Sequence, residues 1–472
     1  MNNKKEKIVE ILFLTGVFVF LLLWAVVQPF NASPDEAMKY QIVQYIMKHG
    51  TLPHGGNPEI RHELWGISYA FNPILPYIIG AVFGKITLLF TSAEMAPVIA
   101  ARIVSVLFGT ATAAITIKIG KALFQKEYAR LFVVLVCFLP GAMFINSYIN
   151  TDSIALFSTA WVVWCWVKAV KNSWSKGLCI ELALALSVCA LSYYNAYGFI
   201  LCSVFFFAGS ILFCEEKRWN YKKMFSLGFL IIAVAAVCAG WWFVRNGILY
   251  HGDILGMHTS SEYAQMYARE DLKPSNRITP QSMGMSIWDM LFWIPGEWKF
   301  NWLVTVAVSF VGTFGFLDIF MPKMWTLVYF SVFAVGIVGV LFHIRKQFFV
   351  IGQQKSVRCD KDHTGRTMFI TIRKNKKWDM KNYFHLCLLA AMTVPFILLV
   401  KYAYSSDFQA QGRYLMPMLI PFMYFITLGY QNIMEKIVKS KKIRNTILNF
   451  LCAGYIVSAV GVYLIVFLPN YM

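Results

Sequence analysis

Eleven apolar runs of about 17 to 25 residues recur along this 472-residue chain, near 9–29, 97–117, 131–149, 153–170, 178–194, 197–214, 225–244, 324–343, 383–402, 414–432 and 446–468. An α-helix of that length crosses a bilayer core of roughly 30 Å, and within lipid a helix is one of the few structures that satisfies its own backbone. The expected fold is therefore an all-α integral membrane bundle of about eleven transmembrane helices forming one domain. Composition agrees: 58% of residues are apolar and 14% charged, where a soluble domain is about 25% charged. A water-soluble fold is excluded.

The formal net charge of +19 would suggest nucleic acid in a soluble protein. In a membrane protein it first sets topology, because Lys and Arg collect on the cytoplasmic side. Two more apolar runs, 71–90 and 301–320, would each invert everything after them if they crossed. With both held as re-entrant or interfacial segments, 30 of the 43 Lys and Arg fall in cytoplasmic segments, 11 of them in the basic loop 345–381. The outer face then sums to −1. This arrangement puts the N-terminus inside on an uncleaved first helix, the C-terminus outside, and large outer loops at 30–96 and 245–322. No nucleic-acid partner is expected. Re-entrant backbone at membrane depth survives only when packed in protein or facing water, so these segments point to an outward cavity.

Chemistry is sought in those outer loops. No phosphate-binding glycine loop, dinucleotide fingerprint or HExxH is present, so nucleotide hydrolysis and zinc-protease chemistry have no support. The ten cysteines show no CxxC spacing. Ser33-Pro34-Asp35-Glu36 precedes a stretch, 37–48, whose Met38, Ile42, Tyr45 and Ile46 fall at helical spacing, predicting a helix along the membrane surface. Ser33 as N-cap, Pro34 at the first position and Glu36 at the third would form a capping box. That box leaves Asp35 free, and a positioned carboxylate can take the proton of an attacking hydroxyl.

Arg413, in Gln411-Gly412-Arg413-Tyr414, and Arg245, in Trp241-Trp242-Phe243-Val244-Arg245-Asn246, stand at outer membrane boundaries. Each is either a snorkelling anchor or a phosphate ligand, since guanidinium pairs bidentately with phosphate. Lys39 and Lys85 are weaker candidates of the same kind. Asp152 either caps the helix after it or reaches a cavity to bind a hydroxyl. His49, His54, His62, His251 and His258 match no metal template, so neither a metal nor another cofactor is expected.

Six segments in order resemble a bacterial polytopic membrane family of unknown function. They are Pro34-Asp35-Glu36; Asn72-Pro73 with Leu75-Pro76-Tyr77; Asn150-Thr151-Asp152; Arg245-Asn246-Gly247-Ile248-Leu249-Tyr250-His251-Gly252-Asp253; Ser309-Phe310-Val311-Gly312-Thr313-Phe314-Gly315-Phe316; and Gln411-Gly412-Arg413-Tyr414-Leu415-Met416-Pro417. That family is similar to the GT-C glycosyltransferases, whose protein mannosyltransferase and aminoarabinose transferase members carry Asp or Asp-Glu at the start of the first outer loop. The resemblance implies transfer of a sugar, with inversion, from a polyprenyl-phosphate donor to a hydroxyl of an envelope glycan, lipid or protein, in a bacterial inner membrane. It implies Asp35 as general base, Glu36 positioning the acceptor or the base, Arg413 and Arg245 on the leaving phosphate, and Asp152, Asp253 and Tyr414 on the acceptor or sugar. Where the family often has His four residues after the Asp, this chain has Lys39, which could neutralise donor phosphate. A flippase for a lipid-linked saccharide would use the same arginines without a base, and an envelope polymerase or ligase would act on long-chain donors.

Overall fold

The computed structural model describes residues 2–215, 219–294, 299–348, 351–356 and 373–472. The centre of the basic loop, with Cys359, lies outside them. Among the described residues eight helices are long and apolar enough to cross a membrane, and they coincide with eight of the expected runs: Lys4–Val27, Ala96–Leu123, Asp152–Asn172, Tyr194–Cys214, Tyr221–Leu249, Lys323–Leu341, Met380–Ser405 and Lys441–Asn470. The chain is a multi-pass helical membrane protein.

The count of eleven rests on three segments that take other forms. Run 131–149 is divided at Pro140 into Lys126–Cys137 and Pro140–Ile145, because proline cannot continue the hydrogen-bonded ladder. Run 178–194 is the 15-residue helix Lys176–Ala190. Run 414–432 opens as the 3-10 turn Gly412–Met418 and continues as Leu419–Ile437, with Lys436 in its last turn.

The two segments that charge kept from crossing are short helices, Leu75–Thr87 and Trp302–Gly312. Their 13 and 11 residues extend about 20 and 17 Å, less than a bilayer core. Asn301 starts the second by accepting from Val304 N at 2.9 Å. A hairpin follows it, pairing Thr313 with Phe320 and Phe314 with Ile319.

The bundle is densest where small residues allow backbones to touch. A Cβ on Gly429 would meet the Gly336 carbonyl at 1.8 Å, and one on Gly339 would meet the Gly429 carbonyl at 2.2 Å. The helices Lys323–Leu341 and Leu419–Ile437 therefore cross backbone to backbone, as small residues permit in membranes. An aromatic cluster joins the first helix to the last: Trp24 lies 4.0 Å from Phe467 and 5.4 Å from Phe314, and Phe144 lies 5.5 Å from Phe314. On this platform rests the segment from Gln28 to the surface helix Glu36–His49, whose buried Ile42 and Val43 pack toward Leu75–Thr87.

Candidate active site

The capping box is not formed. The surface helix begins at Glu36, and its N-cap is Asp35, which is left-handed at φ 59° and accepts no cap hydrogen bond. Both members of the expected box have other partners. Ser33 Oγ donates to Gln28 Oε1. Glu36 is wholly buried and pairs bidentately with Arg102, Nε to Oε1 at 2.8 Å and Nη2 to Oε2 at 2.7 Å.

Arg102 was not singled out from sequence, although a lone cation inside an apolar run marks a costly buried charge. Its remaining N–H groups donate to the carbonyls of Ala25, Gln28 and Pro29 at 2.7, 2.7 and 3.0 Å. Glu36 also accepts from Asn31 N at 3.1 Å and Ile149 N at 3.2 Å. The pair thus clamps the end of the first helix to the start of the surface helix and fixes the turn between them. A left-handed non-glycine residue is held against its own preference by such surroundings, and Asp is among the residues that tolerate it.

That turn presents Asp35 to a polar cluster. Tyr69 Oη donates to Asp35 Oδ2 at 2.8 Å, and Arg413 Nη2 lies 3.3 Å from the same oxygen. Lys39, one turn along, donates to Pro34 O at 2.8 Å and sits 5.3 and 5.5 Å from the ring centres of Tyr69 and Tyr148. Arg413 further reaches Tyr414 Oη at 3.3 Å and Tyr148 Oη at 3.5 Å. Tyr414 Oη donates to Gln409 Oε1 at 2.6 Å. Asp152 opens the helix Asp152–Asn172, but Asn150 Oδ1 is the side chain that accepts from this helix start, taking Ser153 N at 2.9 Å. Asp152 is 5% exposed, accepts no hydrogen bond among the described residues, and lies within electrostatic reach of Arg413 and Lys39.

Burial and opposite charges together tune Asp35 and Lys39. Burial would raise the Asp35 carboxyl, but Lys39, Arg413 and the Tyr69 hydroxyl outweigh it and hold the group below its ordinary value. For Lys39 burial wins over the attraction of Asp35, and its ammonium is pulled down to about 8.

Arg245 and Asp253 are engaged elsewhere. Arg245 Nη2 donates to Pro53 O at 2.7 Å, with the guanidinium 5.0 Å over Trp242. Asp253 accepts from Gly256 N, Thr259 N and Thr259 Oγ1 at 3.0, 2.8 and 3.1 Å, tying down the start of helix Met257–Tyr267. Lys85 stands in the last turn of Leu75–Thr87. His49 pairs with Glu59 at 2.8 Å, His258 lies 3.4 Å from Glu262, His54 Nδ1 accepts from Gly56 N, and His62 Nδ1 accepts from Leu64 N.

Arg413 lines a small cleft together with Pro34, Tyr148, Gln411, Ser309, Thr313 and Leu317. Its lining includes Phe144, which belongs to the aromatic cluster.

No family model matches the sequence, and no curated protein matches it. Solved structures do match the fold. The oligosaccharyltransferase of Archaeoglobus fulgidus in its apo form superposes over 98% of this chain at TM-score 0.54 and 12% identity, and this chain covers 55% of it. The same archaeal enzyme, AglB, in complex with an inhibitory peptide and a dolichol-phosphate gives 0.52 over 95% of this chain at 12% identity. ArnT from Cupriavidus metallidurans bound to undecaprenyl phosphate gives 0.51 over 98% of this chain and 70% of its own, at 11% identity. The chain thus spans about half the length of the archaeal enzyme. What it shares with these lipid-carrier glycosyltransferases is architecture, and the fold of this protein is that of the GT-C membrane glycosyltransferases.

Proposed function

We propose that this protein transfers a sugar from a polyprenyl-phosphate donor to a hydroxyl of a cell-envelope acceptor, on the outer face of a bacterial inner membrane with its N-terminus in the cytoplasm. The observation that carries the reading is Asp35: a carboxylate in a left-handed turn, 28% exposed, 3.3 Å from Arg413 and beside a buried lysine. The acceptor oxygen attacks the anomeric carbon from the face opposite the phosphate and inverts it. The bond from that carbon to the phosphate oxygen breaks, its electron pair leaves with the phosphate, and the hydroxyl proton passes to Asp35. Charge grows on the leaving oxygen, where the Arg413 guanidinium and Lys39 ammonium are prepositioned to stabilise it.

Asp152, which accepts no hydrogen bond among the described residues, serves the acceptor or sugar hydroxyls, and Tyr414 sets the plane of Arg413. Of the two roles the resemblance implies for Glu36, holding the base in place is the one its Arg102 clamp supports. Arg245 and Asp253 brace the outer loops.

The test is transfer of a radiolabelled monosaccharide from its polyprenyl-phosphate carrier by purified protein. Asp35→Asn should lose about 10²- to 10⁴-fold in rate with unchanged folding, and retained transfer would sink the base assignment.

A further inference from the structure

The segment 309–316 stands out in the sequence, yet the transfer chemistry above gives it no role. Its geometry supplies one. Helix Trp302–Gly312 ends against the turn that carries Arg413: Gly412 N donates to Ser309 Oγ at 2.7 Å, and a Cβ on Gly412 would fall 2.1 Å from Phe310 N. Only glycine permits this approach, so residues 411–413 are held in register with 309–313. Ser309 is used up by the joint, because its hydroxyl also donates to Thr305 O at 2.7 Å.

Thr313 is not used up. It is 5% exposed, it lines the same cleft as Arg413, and its Oγ1 has no hydrogen-bond partner among the described residues. Two more buried atoms on residues of the same cleft are also without partners among the described residues, Arg413 Nε and Gln411 Oε1. Native interiors leave few such atoms unsatisfied, and three belong to residues lining this one cleft. A guanidinium N–H beside a hydroxyl donor suits an anionic oxygen, and an amide carbonyl suits a hydroxyl. A phosphate ester carrying a hydroxylated group supplies both; a cation or a hydrocarbon supplies neither.

We propose that Thr313 Oγ1 and Arg413 Nε together bind one phosphoryl oxygen in this cleft, and that Gln411 Oε1 accepts from a hydroxyl of the attached sugar. Placing that phosphate on a lipid carrier rests on the function proposed above, whereas the phosphoryl site itself does not. The hairpin after Thr313 closes the wall, with Gly315 and Leu317 left-handed at φ 61° and 72° and Leu317 facing the cleft.

The experiment measures binding of undecaprenyl phosphate, and separately of inorganic phosphate, to the full-length protein in lipid nanodiscs, with thermal melting of each variant as control. Thr313→Val keeps the shape and removes the hydroxyl, and should weaken undecaprenyl phosphate by roughly tenfold or more, the effect of one hydrogen bond to a charged group. Thr313→Ser should bind as wild type does. If valine lowers the melting temperature, Thr313→Ala replaces it with the same two outcomes. Wild-type affinity in the hydroxyl-free variant overturns the proposal. If wild type binds inorganic phosphate in a Thr313-dependent way but not undecaprenyl phosphate, the phosphoryl site stands and the lipid-carrier function falls. If wild type binds neither, both fall.

Discussion

Two side chains one helical turn apart, Asp35 and Lys39, are placed in environments that move their protons in a useful direction. Asp35 is held below its ordinary value by its cationic neighbours, so it stays ionised, and ready to accept a proton, throughout the neutral range. Lys39 titrates near 8, so its positive charge is present below that pH and is lost as pH rises through it. The proposed transfer should therefore show an alkaline limb near pH 8 in kcat/KM and no acid limb between pH 5 and 7. Lys39→Arg keeps its charge at every accessible pH and should abolish the alkaline limb. A limb that stays in place in that variant assigns the titration to another group. The position of Asp35 at a helix start was readable because the sequence places it directly after a proline. That it is the left-handed cap, and not the free member of a capping box, followed from Arg102 capturing Glu36.

At the scale of elements, two joints hold the site together, and each rests on a partner far away in the linear sequence. The first is the Glu36–Arg102 pair, both side chains 0% exposed. Removing one partner of such a pair leaves an uncompensated buried charge and costs about 3 to 5 kcal/mol. Arg102→Met should lower the melting temperature in detergent and abolish transfer, and the double variant with Glu36→Leu should recover part of the stability. A single variant as stable as wild type would show that the clamp is dispensable. The second joint is Gly412 on the helix Trp302–Gly312. In Gly412→Ala the new methyl would meet Phe310 N and Val306 O at 2.1 and 2.5 Å, forcing the 3-10 turn outward. That variant should lose transfer by at least about tenfold through displacement of Arg413, since small misplacements of a charged ligand are costly. Unchanged kinetics would place Arg413 outside the reaction.

For the whole molecule, the charge argument makes a prediction about sidedness. A membrane-impermeant thiol reagent should modify Cys359 in inverted vesicles and leave it unmodified in intact cells; the opposite pattern reverses the topology. The background is low because the other nine cysteines are buried or partly buried.

The long apolar runs by themselves determined that this chain is a helical membrane bundle, since hydrocarbon admits no other use for them, and the eight helices among the described residues that are long and apolar enough to cross lie where hydropathy puts them. The sequence also showed that 71–90 and 301–320 differ from the rest, because crossing by either would have violated the charge asymmetry. Tertiary structure alone decided which polar residues meet. Asp35, Tyr69, Tyr148, Asp152 and Arg413 are drawn from four segments spread over nearly 380 positions, whereas Arg245, equally prominent in sequence, is turned to Pro53. Local pattern reports which face of a helix is apolar. It does not report which of two boundary arginines another helix brings within 3.3 Å of a carboxylate, because that depends on glycine contacts and buried ion pairs formed between residues far apart in the chain.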